Sequence, residues 1–193
     1  MKIVIMCGGR GKRLKHLTDR VPKPLSIINN KVVLGLKLNQ YIAQGFKDFI
    51  FCIGYKGEAI KDYISKEYSH INAEFSDSGN SAGILKRLFD SADFFTNSVI
   101  MTYGDTISKI NLTDFIKIHN KDSNDATIAL AAIKNPFGIV DFNQNNKITS
   151  FKEKPIFHYY IGYAVIEKSI LLNTPKEIIN SFDGEGVINL FQR

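Results

Sequence analysis

With 193 residues, 44% of them apolar and 23% charged, the chain has the size and composition of one globular domain, which excludes fibrous and disordered classes. A formal charge of +6 admits several kinds of anionic partner and selects none, because dispersed lysines commonly just solvate a surface. Two cysteines, Cys7 and Cys52, are too few for a disulfide framework or a zinc pattern. The first apolar run is too short for a secretory signal and none is long enough to span a membrane, so the expectation is a cytoplasmic protein with reduced core thiols.

In chain order, KIVIM at 2–6 predicts a strand and VVLGLKLNQYIAQG at 32–45 a helix. Strands follow at 49–54 (FIFCIG), 72–76 (NAEFS), 98–104 (SVIMTYG) and 126–133 (ATIALAAI). Helices are predicted between them at 58–68, 81–95 and 112–121; Ile60, Tyr63 and Ile64 share one helical face, as do Leu112, Phe115 and Ile116. Repeated β-then-α units predict an α/β fold with a mostly parallel sheet covered on both faces. After residue 134 the rhythm changes. GIVDFNQNNKITSFKEKP reads as a hairpin turning at Asn145–Asn146, YIGYAVI at 160–166 as a further strand, and the tail from Pro175 as two short helices. No internal repeat or linker interrupts the chain, so 1–193 reads as a single domain.

The first strand runs into GGRGKRLKHLTDRVPKP at 8–24. In open α/β sheets ligands collect at the carboxyl ends of strands, and a glycine-rich loop there can turn backbone N–H groups onto phosphate. Gly8, Gly9 and Gly11 permit that approach, while Lys12, Arg13 and Lys23 add cations. Taken alone, the glycines serve a tight strand-to-helix turn equally well. Two phosphate motifs are excluded: Lys12 is followed by Arg13 rather than the Ser or Thr of a P-loop, and Leu14 stands where a dinucleotide fingerprint needs glycine. That fingerprint also wants an acid about twenty residues on, where Asn29, Asn30 and Lys31 stand.

GGRGKRL followed by PKPL resembles the signature of sugar-phosphate nucleotidyltransferases, GGxGxRLxPLTxxxPKPL, departing only at His16. TYGD at 102–105, FGIVDF at 137–142 with FKEKP at 151–155, and YIGYAVI are similar to further family stretches, in order. FIFCIGYKGEAIKDYI, SAGILKR and TYGD resemble the glucose-1-phosphate cytidylyltransferase branch most closely. The resemblance implies a Rossmann-like three-layer sandwich with a mostly parallel central sheet and a small β-hairpin that binds the acceptor. Residues 1–133 would hold the nucleotide and 134–193 the acceptor.

It also implies a reaction: a phosphate oxygen of the acceptor attacks the α-phosphorus of CTP and pyrophosphate leaves. A phosphate monoester is largely dianionic at neutral pH and needs no general base. The implied catalytic residues are Arg13, which clamps the triphosphate, Lys23, held between Pro22 and Pro24 near the α-phosphate, and Asp105, the ligand of Mg2+. Gly8, Gly9, Gly11, Lys12, Arg13, Tyr103 and Gly104 would line the nucleotide, with Ser81 and Gly83 against the cytosine. Gly138, Glu153, Lys154 and Gly162 would approach the acceptor. Without the resemblance, Asp105 reads as a cap, Glu153–Pro155 as a turn, and Ser81 with Gly83 as an N-cap. His16, His70, His119 and His158 have no metal spacing and read as surface or loop residues.

Two departures shape the expectations. Tyr160-Ile161-Gly162 stands where sugar-specific members have an Asn-Gly-Gly or Thr-Gly turn, so an apolar group replaces a polar one. That points to a non-sugar acceptor such as phosphoglutamine, a phosphoramidate used in capsule modification, with glucose 1-phosphate as the alternative. The tail VINLFQR ends where relatives continue to a second metal-binding aspartate, so the chain reads as C-terminally truncated, and Asp183 and Glu185 do not replace that residue convincingly. The expected partners are CTP and a small phosphorylated acceptor, with no nucleic acid and no membrane; a homo-oligomer is left open. A nucleotide-sensing module without turnover is the rival reading. Nucleic-acid binding is suggested by charge alone, without the interleaved aromatics it needs.

Overall fold

In a computed structural model, residues 1–11, 21–121, 124–181 and 190–191 are described. The strands are β1 (Lys2–Met6), β2 (Ile27–Ile28), β3 (Lys31–Val32), β4 (Asp48–Ile53), β5 (Asn72–Asp77), β6 (Ser98–Tyr103), β7 (Ala126–Lys134), β8 (Ile139–Phe142), β9 (Ile148–Lys152) and β10 (Ile156–Glu167). Six of them build the main sheet in the order β5-β4-β1-β6-β10-β7. β5, β4, β1 and β6 run parallel, and β10 is antiparallel to both β6 and β7. The expected mostly parallel sheet is therefore present. β10 inserts between β6 and β7, so chain from both sides of residue 133 completes it.

The helices are α1 (Val33–Ala43), α2 (Gly57–Glu67), α3 (Ile84–Asp90), α4 (Leu112–Lys121), α5 (Lys168–Leu172) and α6 (Lys176–Ile179). Period-two alternation in the strands divides the core. Ile3, Ile5, Phe49, Phe51 and Ile100 face Leu34, Leu38 and Tyr41 of α1, Ile60 and Ile64 of α2, and Leu112 and Phe115 of α4. Val4, Ile50, Cys52, Val99 and Met101 face Leu85 and Leu88 of α3 and Leu171 of α5. The sandwich thus has three layers. Ile3, Val4 and Ile5 are all fully buried because both faces of a central parallel strand are covered. Burying each contributes about 1.5–3 kcal/mol. Cys7 and Cys52 are free and buried, as expected of core thiols.

Several local features differ from the sequence expectation. The helix expected over 81–95 starts at Ile84 and stops at Asp90, where Ser91 Oγ donates to the Leu88 carbonyl at 2.7 Å; a 3-10 turn at Ala92–Phe94 follows. β2 and β3 form an unpredicted hairpin, with Asn29 and Asn30 both in the left-handed region that a two-residue turn demands. The strand expected at 160–166 begins earlier, at Ile156, because its first half pairs with the far end of β7. Of the tail, α6 and the helical residues Leu190 and Phe191 are described. His119 corrects the surface reading of the histidines. It is buried on α4, with Nδ1 2.9 Å from Thr127 Oγ1 and Nε2 3.0 Å from Glu167 Oε1, while His70 and His158 are exposed. His16 lies outside the described residues. No described helix is long and apolar enough to cross a membrane.

Candidate active site

From β1 the chain moves to β4 and then β5 on one side, and later returns to β6 on the other. The direction of winding reverses between β1 and β6, and the crevice at their carboxyl ends is where an open α/β sheet binds ligands. Cys7, Gly8 and Gly9 leave β1 there, and Gly104 and Asp105 leave β6. The Gly104 N–H donates to the Met6 carbonyl at 3.0 Å, which zips the two strand ends together. A Cβ on Gly104 would stand 2.9 Å from Met6 O and 3.0 Å from Pro24 Cγ. Only glycine lets the Pro22-Lys23-Pro24 segment lie this close.

That approach brings together two residues singled out from the sequence. Lys23 begins a 3-10 turn over Lys23–Leu25, with Pro22 extended before it, and its Nζ forms an ion pair with Asp105 Oδ2. Both side chains are roughly one-third exposed, so the pair faces the crevice. Asp105 is a hard oxygen donor at a strand end, and magnesium asks for one or two carboxylates plus water and phosphate oxygens. The residue fits such an ion as a single protein ligand. Among the described residues no cluster of three His, Cys, Asp or Glu side chains offers a fuller cage.

The glycine loop is held from below by a residue that sequence reasoning missed. Arg87, on α3 and 3% exposed, donates to the carbonyls of Ile53 at 2.5 Å, Gly79 at 2.7 Å and Gly8 at 3.2 Å. One buried guanidinium thereby ties together the loops after β1, β4 and β5. A Cβ on Gly8 would overlap this guanidinium and stand 2.8 Å from the Ile53 carbonyl carbon. Gly8 is thus needed for packing on Arg87. Gly9 is exposed with nothing near its missing Cβ, and Gly11 takes a left-handed φ of +62°. Lys12 and Arg13 lie outside the described residues. The signal for Arg87 was a charged residue between Leu85 and Leu88 on the buried stripe of a helix.

The remaining nucleotide candidates spread around this crevice. Gly83 is the N-cap of α3, and Ser81 is exposed two residues earlier and does not cap it. Tyr103, last in β6, packs edge-on against Tyr160 at 6.0 Å, and burial pushes its hydroxyl pKa up. Gly162 sits in a bulge of β10 where Ile161–Tyr163 oppose the single residue Ala129. Its φ is +76°, and a Cβ there would stand 2.6 Å from Tyr103 Cδ2. Gly162 and Tyr103 thus form one wall. Ile161, where the sequence expects an apolar acceptor-facing group, is partly buried and packs against the α1/α2/α4 core.

Gly138, Glu153 and Lys154 gather separately, beside the small β8–β9 sheet. A Cβ on Gly138 would touch the Phe151 ring at 2.9 Å and Glu153 Oε2 at 3.3 Å. Lys154, at a left-handed φ of +44°, pairs with Glu153 at 3.5 Å. Among the described residues no hydrogen bond or ion pair joins this group to Asp105.

Beneath Asp105 lies a second residue that sequence reasoning missed. Lys37 of α1 is fully buried, donating to the Thr106 carbonyl at 2.6 Å and the Tyr163 hydroxyl at 3.0 Å. Its ammonium lies 4.5 Å from the Tyr163 ring centroid. Burial lowers its pKa from 10.5 to about 7, partly offset by Cys7 and Asp105. The signal was a lysine in register with Leu34, Leu38 and Tyr41.

Residues 2–167 match the family model described as Nucleotidyl transferase. Glucose-1-phosphate cytidylyltransferase of Salmonella typhi is 31% identical over 179 residues, covering 80% of this chain and 69% of its own. D-glycero-alpha-D-manno-heptose 1-phosphate guanylyltransferase of Campylobacter jejuni is 30% identical over 186 residues, covering 94% and 79%. Among solved structures, HddC from Yersinia pseudotuberculosis superposes with a TM-score of 0.75 at 22% identity over 95% of this chain and 83% of its own, a likeness of fold.

Proposed function

The chain belongs to the nucleotidyl transferase family, and from that premise we propose that it transfers CMP from CTP to the phosphate of a sugar 1-phosphate, with glucose 1-phosphate the first candidate. The observation that carries the proposal is the meeting of Lys23 and Asp105 at the crevice between β1 and β6. A non-bridging oxygen of the acceptor phosphate forms a bond to the α-phosphorus as the bond from that phosphorus to the bridging oxygen breaks. The electron pair leaves on pyrophosphate, and no proton need move. Lys23 supplies a charge-assisted hydrogen bond to the phosphates, and Arg13 is assigned to the leaving pyrophosphate. Mg2+ on the Asp105 carboxylate would neutralise charge on the phosphate oxygens.

The relatives' names specify sugar 1-phosphates, which favours that acceptor over phosphoglutamine. Partial burial of Ile161 against the core weakens the argument that its side chain selects a non-sugar acceptor. The guanylyltransferase relative makes GTP the second nucleotide to test. The experiment is pyrophosphate release from CTP, GTP, UTP and dTTP with Mg2+ and glucose 1-phosphate, a heptose 1-phosphate or phosphoglutamine. Release with CTP and a sugar phosphate is expected. Absence of release with every pair would favour a nucleotide-sensing module, and turnover of phosphoglutamine alone would restore the non-sugar acceptor.

A further inference from the structure

The segment from Gly104 to Asn111 links β6 to α4 without regular structure, yet one side of it is bonded throughout. Three side chains reach it, Lys37 and Gln40 from one face of α1 and Gln44 from the C-cap just beyond it. Lys37 Nζ donates to the Thr106 carbonyl at 2.6 Å, Gln40 Nε2 to the Ser108 carbonyl at 2.5 Å, and Gln44 Nε2 to the Ile110 carbonyl at 3.2 Å. Gln44 Oε1 also accepts from the Leu112 N–H at 2.8 Å. Positions 37, 40 and 44 fall on one side of α1 and its C-cap by the i, i+3, i+7 rule, and the alternate carbonyls 106, 108 and 110 all turn toward them. The seven-residue helical rise is about 10 Å and the four-residue extended span about 13 Å, so the two series stay nearly in step. The exposure pattern agrees: Asp105, Ile107 and Lys109 are turned outward and Thr106, Ser108 and Ile110 inward.

We infer that Lys37, Gln40 and Gln44 form a side-chain ladder that holds this segment extended, and that Lys37, its first rung, is the positioning residue for the Asp105 carboxylate. Lys37 bonds the residue after Asp105 on one side and Tyr163, the residue after Gly162, on the other. It therefore also couples the Asp105 corner to the β10 bulge. An apolar side chain would fill the same space without desolvating an amine. What the amine adds is directional bonds to two places that a packed methyl group cannot specify. The consequence for Mg2+ rests on the nucleotidyltransferase reading above; the ladder itself does not.

The test uses the whole chain, as Lys37→Met and Gln40→Leu. In protein without metal or nucleotide, amide hydrogen exchange is read at Thr106, bonded to the Tyr103 carbonyl, and at Leu112, bonded to Gln44. Gln40 bonds neither amide, so acceleration of both by about tenfold in Gln40→Leu reports a cooperative ladder. Lys37→Met should accelerate Thr106 similarly. With CTP and glucose 1-phosphate, it should also raise the Mg2+ concentration for half-maximal pyrophosphate release by about 10–100-fold, a shift that a merely structural role would not produce. Unchanged exchange at both amides in Gln40→Leu, a variant at a partly exposed site that keeps its packing, overturns the ladder even if Lys37→Met does not fold. Accelerated exchange in Lys37→Met with an unchanged Mg2+ requirement overturns the positioning role. Wild-type protein inactive with every triphosphate would sink the nucleotidyltransferase reading and leave the exchange result to decide the ladder.

Discussion

Lys23 and Asp105 form an ion pair across the crevice between β1 and β6, each contributed by a different loop and both partly open to solvent. Such a pair adds little to stability, about 0–1 kcal/mol, because water solvates both charges almost as well. On the proposed function, its value lies in placing a cation and a hard anion side by side at the carboxyl ends of β1 and β6.

Asp105→Asn therefore separates function from folding. Its unfolding free energy, measured in urea, should lie within about 1 kcal/mol of wild type. Pyrophosphate release at saturating CTP should fall by about a hundredfold or more, because a charge that organises the transition state has been removed. A fall in stability matching the fall in rate would recast Asp105 as a structural cap.

Gly8 and Gly9 should respond oppositely to alanine. The Gly8→Ala methyl overlaps Arg87 and crowds the Ile53 carbonyl, so a loss of about 1–3 kcal/mol is expected by denaturation. Gly9→Ala meets nothing within 4 Å and should leave stability nearly unchanged. If the Gly9 backbone lies against phosphate, its cost will show as a raised KM for CTP. Equal unfolding midpoints for the two variants would contradict the packing described around Arg87.

Lys37 should leave a signature in the pH dependence of stability. Its folded pKa is lowered to about 7 by burial, whereas the unfolded lysine titrates near 10.5. Between these values the unfolded chain holds a proton that the folded protein has released, so stability rises with pH across that window. Below about pH 7 both states are protonated and the contribution is flat. Relative to Lys37→Met, wild type should gain about 2 kcal/mol between pH 7 and pH 9. Urea titrations at several pH values would reveal it, and a pH-independent difference between the two proteins would refute it.

Gly162→Ala should disturb the acceptor side first. A left-handed φ costs a non-glycine residue about 1–2 kcal/mol, and the new methyl would push on the Tyr103 ring. Steady-state kinetics should show a larger rise in KM for the sugar phosphate than for CTP. A change confined to CTP would move Gly162 to the nucleotide side.

The layered α/β architecture, the strands β1, β4, β5, β6 and β7 and the β8–β9 hairpin are legible in the linear pattern, because period-two and period-3.6 alternation is local and, in the main sheet, the buried faces obey it. The two-residue strands β2 and β3 are too short to show a period. Lys23 and Asp105 stand out through the family resemblance of PKPL and TYGD, since taken alone an acid at a strand end reads equally as a cap. That these two meet follows from long-range topology, as β1 and β6 become neighbours only when the chain returns to the other side of β1. The same long-range packing lays Ile161 partly against the core and makes Lys37 and Arg87 buried supports. The apolar register around Lys37 and Arg87 hints at burial in one dimension but names no partner. Whether either charge reaches solvent or a set of buried carbonyls depends on loops distant in sequence, which no local pattern contains.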